Sequence, residues 1–406
     1  MIHLLRSALV AAVVLGCASP PEADWLTALR EREAEPIAIA TLESDDGFFR
    51  AQAPARQVGE ITAEGAAYAL RLDIGSETPV DCWVYRGGVD FAASLGALSE
   101  SSFDAISEGL GAIEQRQIED VDAGVLGESP FLSIGWLYRI SGEAGPQVGE
   151  IRHLIASKAG RGLYCQQNEL GYAGTFLRVI EALLASLEYA EAPERVPYFT
   201  QVSTLTVLGM RVGLERTTLT RDEEGDTRVD TATSFVLPAG ADSLQVTDTF
   251  VVEFARVDGA LINQLHVETS NGELVTQLEL NPSPDGAWLV DGTFHSKPMS
   301  TQFRSEDRPT SWLGEALALR EAIATTGVGG EITLARWIPQ ADPTRLLDQT
   351  LSIQRRVEPD HFGAHLATAG LEADLVVDPE GSVASGSVAL GSANLEIERV
   401  FVGGAF

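Results

Sequence analysis

Lysine is almost missing from this 406-residue sequence. Only Lys158 and Lys297 are lysines among the 28 basic residues, whereas 59 residues are acidic, which gives a formal net charge of -31 at pH 7. Such a chain repels phosphate backbones and anionic lipid headgroups, so we expect no nucleic-acid partner. The charge predicts a solvated acidic surface. The alternative is an acidic face that binds a cationic partner.

Long hydrophobic runs are missing too. After Gly16 no apolar stretch approaches the roughly 20 residues that a membrane-spanning helix needs. The apolar run at the N-terminus, residues 8–16, has nine residues and follows Arg6, which is the pattern of an export signal. We therefore expect export of the chain and removal of residues 1–16 as a signal peptide.

Cys17 follows this run directly, and Val14-Leu15-Gly16-Cys17 resembles the lipobox of bacterial lipoproteins. The resemblance implies cleavage before Cys17, a diacylglyceryl group on its sulfur and a fatty acid, such as palmitate, on its amino group. Three acyl chains suffice for stable membrane attachment, since each buried methylene contributes about 0.8 kcal/mol. Ala18 stands in place of the aspartate of an inner-membrane retention signal, so we expect attachment to the outer membrane. The alternative is a conventional signal peptide with an incidental cysteine.

Cysteine is also scarce, with three residues in the chain. If Cys17 carries lipid, Cys82 and Cys165 remain as an even pair in an oxidising compartment, and we expect a disulfide between them. In the chain-entropy model, closing a loop of this length stabilises the fold by roughly 4 to 5 kcal/mol. Two buried free thiols are the alternative.

The composition is that of a folded chain, with 45% hydrophobic and 21% charged residues. The roughly 390 residues after the signal fit two domains of about 150 to 200 residues each. We expect a tether with a short helix at 17–40, an α+β domain with the disulfide at 41–194, and an antiparallel β-rich domain with a covering helix at 195–406. The predicted fold class is α+β, with a smaller α/β sandwich and a larger antiparallel sheet.

Hydrophobic periodicity supports this division. Apolar side chains recur at helical spacing in 171–190, and also in 90–110 and 311–327. Beyond the prolines of 191–199 the pattern changes to two-residue alternation, which predicts antiparallel hairpins with one apolar and one polar face; Asn271-Gly272 marks one hairpin turn. A curved sheet covered by a helix is similar in architecture to periplasmic lipoprotein carriers of the LolA and LolB type. We expect its concave face to be apolar.

Motifs of common enzymes are absent from the sequence. It contains no glycine-x-serine-x-glycine elbow, no Walker-type glycine loop and no dinucleotide fingerprint, and we expect no cofactor. His361 and His365 are four residues apart, which on a helix suits zinc, but Phe362 stands where the protease motif has glutamate. On a strand the two side chains would lie roughly 13 Å apart, too far to share a metal. They are weak metal candidates, and no metal is expected.

These observations predict a lipid-anchored protein of the cell envelope that binds or scaffolds without catalysis, with an apolar ligand or an envelope protein as its partner. The alternative is an envelope hydrolase that uses paired carboxylates or a metal at His361 and His365. An accessory lipoprotein of an assembly machine is a third hypothesis. In the second domain, an open apolar cavity would favour a carrier, and a filled interface between sheet and helix would favour a scaffold.

Overall fold

A computed structural model describes residues 24–142, 145–192, 195–222, 224–358, 360–391 and 393–406. Strands make up 57% of the chain and helices 14%, so the protein is mainly β and the predicted α+β class with an α/β sandwich is wrong. The predicted signal peptide 1–16, Cys17 and the first part of the predicted tether lie outside the described residues. None of the described helices combines the length and the apolar character that crossing a bilayer requires.

The chain forms two compact units. The N-terminal unit contains the described residues up to 192 together with Val236–Gln245. The C-terminal unit contains Arg195–Phe235 and Val246–Phe406.

The N-terminal unit contains helices α1 to α3 and strands β1 to β11. The helices are α1 (Asp24–Arg30), α2 (Phe91–Leu110) and α3 (Ala173–Ser186). The strands are β1 (Ile39–Glu43), β2 (Phe49–Pro54), β3 (Gln57–Val58), β4 (Thr62–Glu64), β5 (Ala67–Asp73), β6 (Val80–Tyr85), β7 (Ile113–Leu126), β8 (Ser129–Gly142), β9 (Gly145–Lys158), β10 (Arg161–Asn168) and β11 (Glu188–Tyr189).

These strands form two antiparallel sheets. The larger has eight strands in the order β3-β5-β6-β10-β9-β8-β7, with β4 also paired to β5, and the smaller has the order β1-β2-β11. On one face of the larger sheet, the hydrophobic core joins β5, β6 and β10 to α3 and the smaller sheet. Helix α2 packs over β8 and β9. Because α2 and α3 both pack on antiparallel sheets, the described part of this unit contains no parallel β-α-β unit of an α/β sandwich.

Helix α3 confirms the strongest periodic signal in the sequence. Its buried side chains are spaced by three and four residues: Phe176, Val179, Ile180, Leu183 and Leu184. Burying a large apolar side chain contributes about 1.5 to 3 kcal/mol, so this stripe alone explains why the segment is helical here. It packs against β2, which places the smaller sheet over the same core.

The predicted disulfide between Cys82 and Cys165 is confirmed. The two residues are directly opposite each other on β6 and β10, with Cα atoms 4.1 Å apart. Both are fully buried in the core under α3. The bond therefore joins the two central strands of the sheet on the core face.

The segment after α1 docks on the start of α3. Tyr172, at the N-cap position of α3, has a left-handed backbone (φ 62°) and provides no side-chain cap. Glu33 replaces that cap, because its carboxylate accepts the backbone N–H of Gly174 at 2.9 Å and the hydroxyl of Thr175. The Tyr172 N–H donates to the Arg32 carbonyl at 2.6 Å. Part of the segment predicted as a tether thus contributes to the folded unit.

The C-terminal unit contains helix α4 and strands β12 to β25, apart from the ends of two strands that fall within Val236–Gln245. The helix is α4 (Trp312–Thr325). The strands are β12 (Phe199–Val207), β13 (Met210–Arg221), β14 (Thr227–Pro238), β15 (Leu244–Ala255), β16 (Leu261–Ser270), β17 (Glu273–Pro282), β18 (Trp288–Phe294), β19 (Lys297–Phe303), β20 (Glu331–Arg336), β21 (Leu347–Glu358), β22 (His361–Thr368), β23 (Leu371–Val377), β24 (Val383–Leu390) and β25 (Ala393–Gly404).

All fourteen strands belong to one sheet, in the order β19-β18-β17-β16-β15-β14-β13-β12-β25-β24-β23-β22-β21-β20. The sheet is a series of hairpins whose first and last strands, β12 and β25, pair at its centre. The predicted turn at Asn271-Gly272 is confirmed: both residues have positive φ, 51° and 78°, between the paired Ser270 and Glu273. Positive φ at both central residues is the type I′ geometry that this dipeptide favours.

Helix α4 forms where periodicity predicted it, but it does not cover the sheet. A 14-residue helix is about 21 Å long, whereas fourteen strands extend over roughly 65 Å. Its buried side chains are Leu313, Ala316 and Leu319, and Leu313 packs with Phe199, Leu219 and Val229. The helix therefore packs on a small part of the sheet, which is the reason that the predicted helix-covered architecture is wrong.

Candidate functional site

The N-terminal unit has a concave surface on the face of its large sheet that carries α2. Helix α2 packs on β8 and β9, and the neighbouring strands β5, β6 and β10 line three adjoining depressions of about 320, 410 and 540 Å³. Arg71 lines all three, and we call this surface the Arg71 groove. Depressions of this size suit a small molecule or one segment of a larger ligand.

Strand register explains which side chains form the groove. Residues directly opposite in an antiparallel pair point to the same face, and successive residues alternate. Arg71 is opposite Asp81, and Asp81 is opposite Gln166, so the three side chains form one row across β5, β6 and β10. Trp83 and Tyr164 form the next row. The disulfide lies between these rows but on the opposite face, in the core.

Arg71 and Asp81 form an ion pair at the centre of the groove. The guanidinium donates from Nε to Oδ1 at 2.8 Å and from Nη2 to Oδ2 at 3.2 Å, so the contact is bidentate. The hydrogen bond and the negative charge of Asp81 raise the pKa of Arg71. The side chain of Arg71 is 68% exposed and that of Asp81 is 23% exposed, so solvent screens the pair and it contributes little stability. Its atoms are accessible to a ligand.

An aromatic pair forms one end of the groove. The ring of Trp83 stacks on that of Tyr164, with centroids 5.3 Å apart and an interplanar angle of 27°. The indole N–H of Trp83 donates to Glu64 on β4 at 3.2 Å, which fixes the orientation of the ring. Tyr164 is buried beneath it, and Trp83 lines the largest depression. The stacked ring is thus an oriented apolar surface at the groove wall.

A buried polar network lies below the groove and orients Gln166. The Tyr164 hydroxyl donates to Gln166 Oε1 at 2.8 Å, and Ser102 Oγ on α2 lies 2.9 Å from the same oxygen. Because that hydroxyl has one hydrogen, Nδ1 of His153, 2.7 Å away, is the donor to it. Burial lowers the pKa of His153 to about 3, so the ring is neutral. The network holds the amide oxygen of Gln166, which leaves its NH₂ group for the groove.

The end of the groove near α2 is more apolar. Ile106 and Leu110 of α2 line it together with Ile151 of β9. Leu110 is 54% exposed, so its side chain is accessible to a ligand. The groove thus changes from aromatic and charged near Trp83 to aliphatic near Leu110.

The two histidines that the sequence singled out lie elsewhere, on strand β22 of the C-terminal unit. The extended backbone separates their side chains by roughly 13 Å, so the helical zinc geometry does not exist. His365 bonds through Nδ1 to Asp374 Oδ1 on the neighbouring strand at 3.0 Å. Over the described ranges, no group of three or more His, Cys, Asp or Glu side chains is arranged to hold a metal ion.

The space between α4 and its sheet does not form the apolar concavity that we expected. The cavity there has a volume of about 20 Å³, which is room for roughly one water molecule. Its wall on β12 and β13 is polar, with Gln201, Ser203 and Glu215. Glu215 is only 5% exposed and lines this cavity beside α4. The interface is filled, which is the form expected of a scaffold.

The sequence did not single out the groove residues, although a signal for them was present. The sequence predicts that Cys82 and Cys165 are paired, and both segments are rich in residues that favour strands. If two strands are joined by a disulfide, the residues next to each cysteine must be neighbours on the other face. That rule alone brings Asp81 and Trp83 beside Tyr164 and Gln166.

Comparisons with known proteins give no identification. No protein-family model matches the chain. No curated protein matches it either. Among solved structures, it is similar to a β-barrel-like protein of the domain of unknown function DUF1849 from Brucella abortus, with a TM-score of 0.40 and 13% identity over 52% of this chain and 98% of that one.

Two further solved structures are similar to parts of the chain. A protein from Bacteroides thetaiotaomicron has a TM-score of 0.24 and 11% identity, over 40% of this chain and 52% of that one. A DUF1089 family protein from Pseudomonas aeruginosa has a TM-score of 0.23 and 15% identity, over 45% of this chain and 87% of that one. At these TM-scores none of the likenesses supports a conclusion about fold or function.

Proposed function

We propose that the protein is a lipid-anchored protein of the cell envelope that binds a ligand in the Arg71 groove and does not transform it. The observation that carries the proposal is the groove itself. The depression beside α2 combines aliphatic side chains with a few convergent polar groups, which is the usual composition of ligand-binding sites, and the other two are lined mainly by polar and charged side chains. The groove lies on a sheet face whose central strands are joined by a disulfide, so its geometry is held rigidly.

The chemistry of the groove supports binding rather than catalysis. Both carboxylate oxygens of Asp81 accept hydrogen bonds from Arg71, so the groove's central carboxylate is held in place by an ion pair. His153 lies below the groove, and burial lowers its pKa to about 3, so the ring is a weak base that is neutral at neutral pH. The histidine form of the hydrolase alternative has no support, because strand β22 separates His361 from His365.

The C-terminal unit serves as a scaffold in this proposal. Its interface between α4 and the sheet is filled, and the face beneath the helix carries polar side chains where a lipid carrier needs an apolar cavity. The two units would then have separate tasks, with ligand binding in the N-terminal unit and an extended surface for an envelope partner in the C-terminal unit.

Attachment to the membrane is tested by metabolic labelling with palmitate. We expect the wild-type chain to take up label and to sediment with outer membranes, and the Cys17→Ser variant to lose both properties. Ser19→Ala is the matched control, because it changes a neighbouring residue but leaves the cysteine. Label on the Cys17→Ser variant would contradict the proposed anchor.

Ligand binding is tested by native mass spectrometry of the full chain, extracted from its envelope in mild detergent. We expect a non-covalent adduct on the wild-type chain and its loss in the Arg71→Ala/Trp83→Ala double variant. The control is Gln117→Ala, an exposed residue on β7 of the same unit. A wild-type mass without any adduct, or an adduct that survives the double substitution, would overturn binding in the groove.

A further inference from the structure

The outer edge of strand β5, beside the Arg71 groove, is already occupied. Strands β3 and β4 pair with it one after the other, and between them the Gly59 N–H donates to the Arg71 carbonyl at 2.8 Å. A ligand in the groove therefore cannot join the sheet as a further strand, which is how many extended peptides are recognised. It meets the side chains of the sheet face instead.

The most prominent of those side chains is Trp83. Its ring is held from below by Tyr164 and at its N–H by Glu64, so the ring keeps one orientation. A fixed aromatic ring offers a large apolar area at little cost in conformational entropy. The C–H face of a pyranose ring is flat and apolar and fits such a surface.

The polar groups beside Trp83 match hydroxyl groups. Asp81 provides acceptors, the Arg71 guanidinium provides donors, and the Gln166 amide has an NH₂ group that bonds to no other residue in the described part of the chain. Each sugar hydroxyl both donates and accepts, so two neighbouring hydroxyls can bond to an adjacent donor and acceptor at once. The Arg71–Asp81 pair is an adjacent donor and acceptor of this kind.

The charge of the groove restricts the ligand further. Three carboxylates line its largest depression, those of Glu60, Glu64 and Asp81, against the single guanidinium of Arg71. The whole chain is also strongly negative, at -31. Such a surface repels phosphate, sulfate and carboxylate groups and tolerates neutral or cationic ones.

We propose that the Arg71 groove binds an oligosaccharide of neutral or amino sugars, with one ring stacked on Trp83 and vicinal hydroxyls bonded to Asp81, Arg71 and Gln166. The proposal rests on the binding function proposed above and gives its ligand class. In the bound state the oligosaccharide lies along the sheet face towards the aliphatic end of the groove, where the exposed side chain of Leu110 contacts the less polar faces or N-acetyl methyl groups of further rings.

The test is calorimetric titration of the full chain in detergent with three tetrasaccharides: chitotetraose, its deacetylated form and tetragalacturonic acid. We expect the first two to bind and the anionic one to bind at least about tenfold more weakly. Trp83→Ala weakens binding by about tenfold or more, whereas Trp83→Phe retains most of it because the stacking surface remains. Gln166→Ala weakens binding, and the exposed Gln117→Ala on β7 does not.

The outcomes separate the two proposals. If none of the tetrasaccharides binds but the native adduct is present and is lost with Arg71 and Trp83, the saccharide class is wrong and the groove remains a site for another ligand, such as a peptide. If a tetrasaccharide binds equally well to Trp83→Ala, the site lies elsewhere and the assignment to the groove is overturned. Preference for tetragalacturonic acid would contradict the charge argument. Circular dichroism at the titration temperature establishes that each variant is folded.

Discussion

Cys82 and Cys165 lie directly opposite each other on the core face of the N-terminal sheet, with Cα atoms 4.1 Å apart, and their neighbours on the other face form the Arg71 groove. Replacing both with alanine is expected to destabilise the N-terminal unit by roughly 4 to 5 kcal/mol, because the unfolded chain regains the entropy of an open loop. Urea unfolding measures this loss. The wild-type chain in reductant should behave like the double variant, and a denaturation midpoint unchanged by either treatment would show that the bond adds no stability.

His153 is expected to make stability depend on pH. Burial lowers its pKa to about 3 in the folded chain, against an ordinary value near 6.5. Between these two pKa values the unfolded chain binds a proton that the folded chain does not. The contribution of His153 to the free energy of unfolding is therefore present in full above pH 6.5 and is lost as the pH falls towards 3. At pH 4.5 the loss is about 3 kcal/mol relative to pH 7.5.

This prediction is tested by measuring the free energy of unfolding of the wild-type chain and of His153→Asn across that pH range and taking the difference. Asparagine is chosen because it retains a donor near the position of Nδ1. Taking the difference also removes the contribution of carboxylates such as Glu150. Burial raises the pKa of Glu150, so its contribution to the free energy of unfolding changes with pH in the opposite direction. His295→Asn, at an exposed position, should keep the wild-type slope. An unchanged slope for His153→Asn would contradict a neutral buried imidazole.

Glu33 is expected to stabilise α3 from outside the helix. Its carboxylate accepts from the Gly174 N–H and the Thr175 hydroxyl at a helix start that has no cap of its own. Glu33→Ala should cost about 1 kcal/mol, which is typical of a lost N-cap. Hydrogen exchange of the first-turn amides of α3 measures the effect locally. Glu31→Ala, two residues earlier and exposed, is the control and should leave those amides as slow as in the wild-type chain.

Glu253 and Arg336 are expected to be essential to the C-terminal unit. Both are almost fully buried and lie 3.4 Å apart, and Glu253 also accepts the backbone N–H of Trp312 at the start of α4 at 2.6 Å. Glu253→Ala removes this contact and leaves the charge of Arg336 buried without its partner, which typically costs about 3 to 5 kcal/mol. Thermal unfolding measures the loss.

The exposed helix residue Glu321 is the control for this prediction, since Glu321→Ala should change stability by less than about 0.5 kcal/mol. The Glu253→Leu/Arg336→Met double variant, which removes both charges, should recover much of the loss. Equal destabilisation by Glu253→Ala and Glu321→Ala would show that the ion pair of Glu253 with Arg336 is not important for stability.

Local structure was predictable from the sequence where one residue pattern decides it. The apolar stripe of α3 and the Asn271-Gly272 turn were predicted correctly, because helical spacing and positive φ are properties of short segments. The disulfide followed from counting cysteines. The fold class was not predictable in this way, because correctly predicted helices do not determine how many strands join one sheet.

The polar interior of the C-terminal unit shows a second limit. Two-residue alternation predicts one apolar and one polar face, but at Glu215 the polar face lies beneath α4. The central strands are covered on both faces, and periodicity cannot distinguish a buried polar row from an exposed one. The groove was missed for a related reason, since Arg71 and Gln166 meet only through the registers of two strand pairs.

The pairing of β12 with β25 also determines when the C-terminal unit can fold. The opening strand of the unit pairs with its closing strand, so β12 keeps a free hydrogen-bonding edge until β25 emerges, and Phe406 cannot contact Phe199 before then. Vectorial synthesis or translocation delivers every other strand first. Completion of this sheet therefore waits for β25, the last of its strands to be made, and until then the unpaired edge of β12 is open to a chaperone or to another strand.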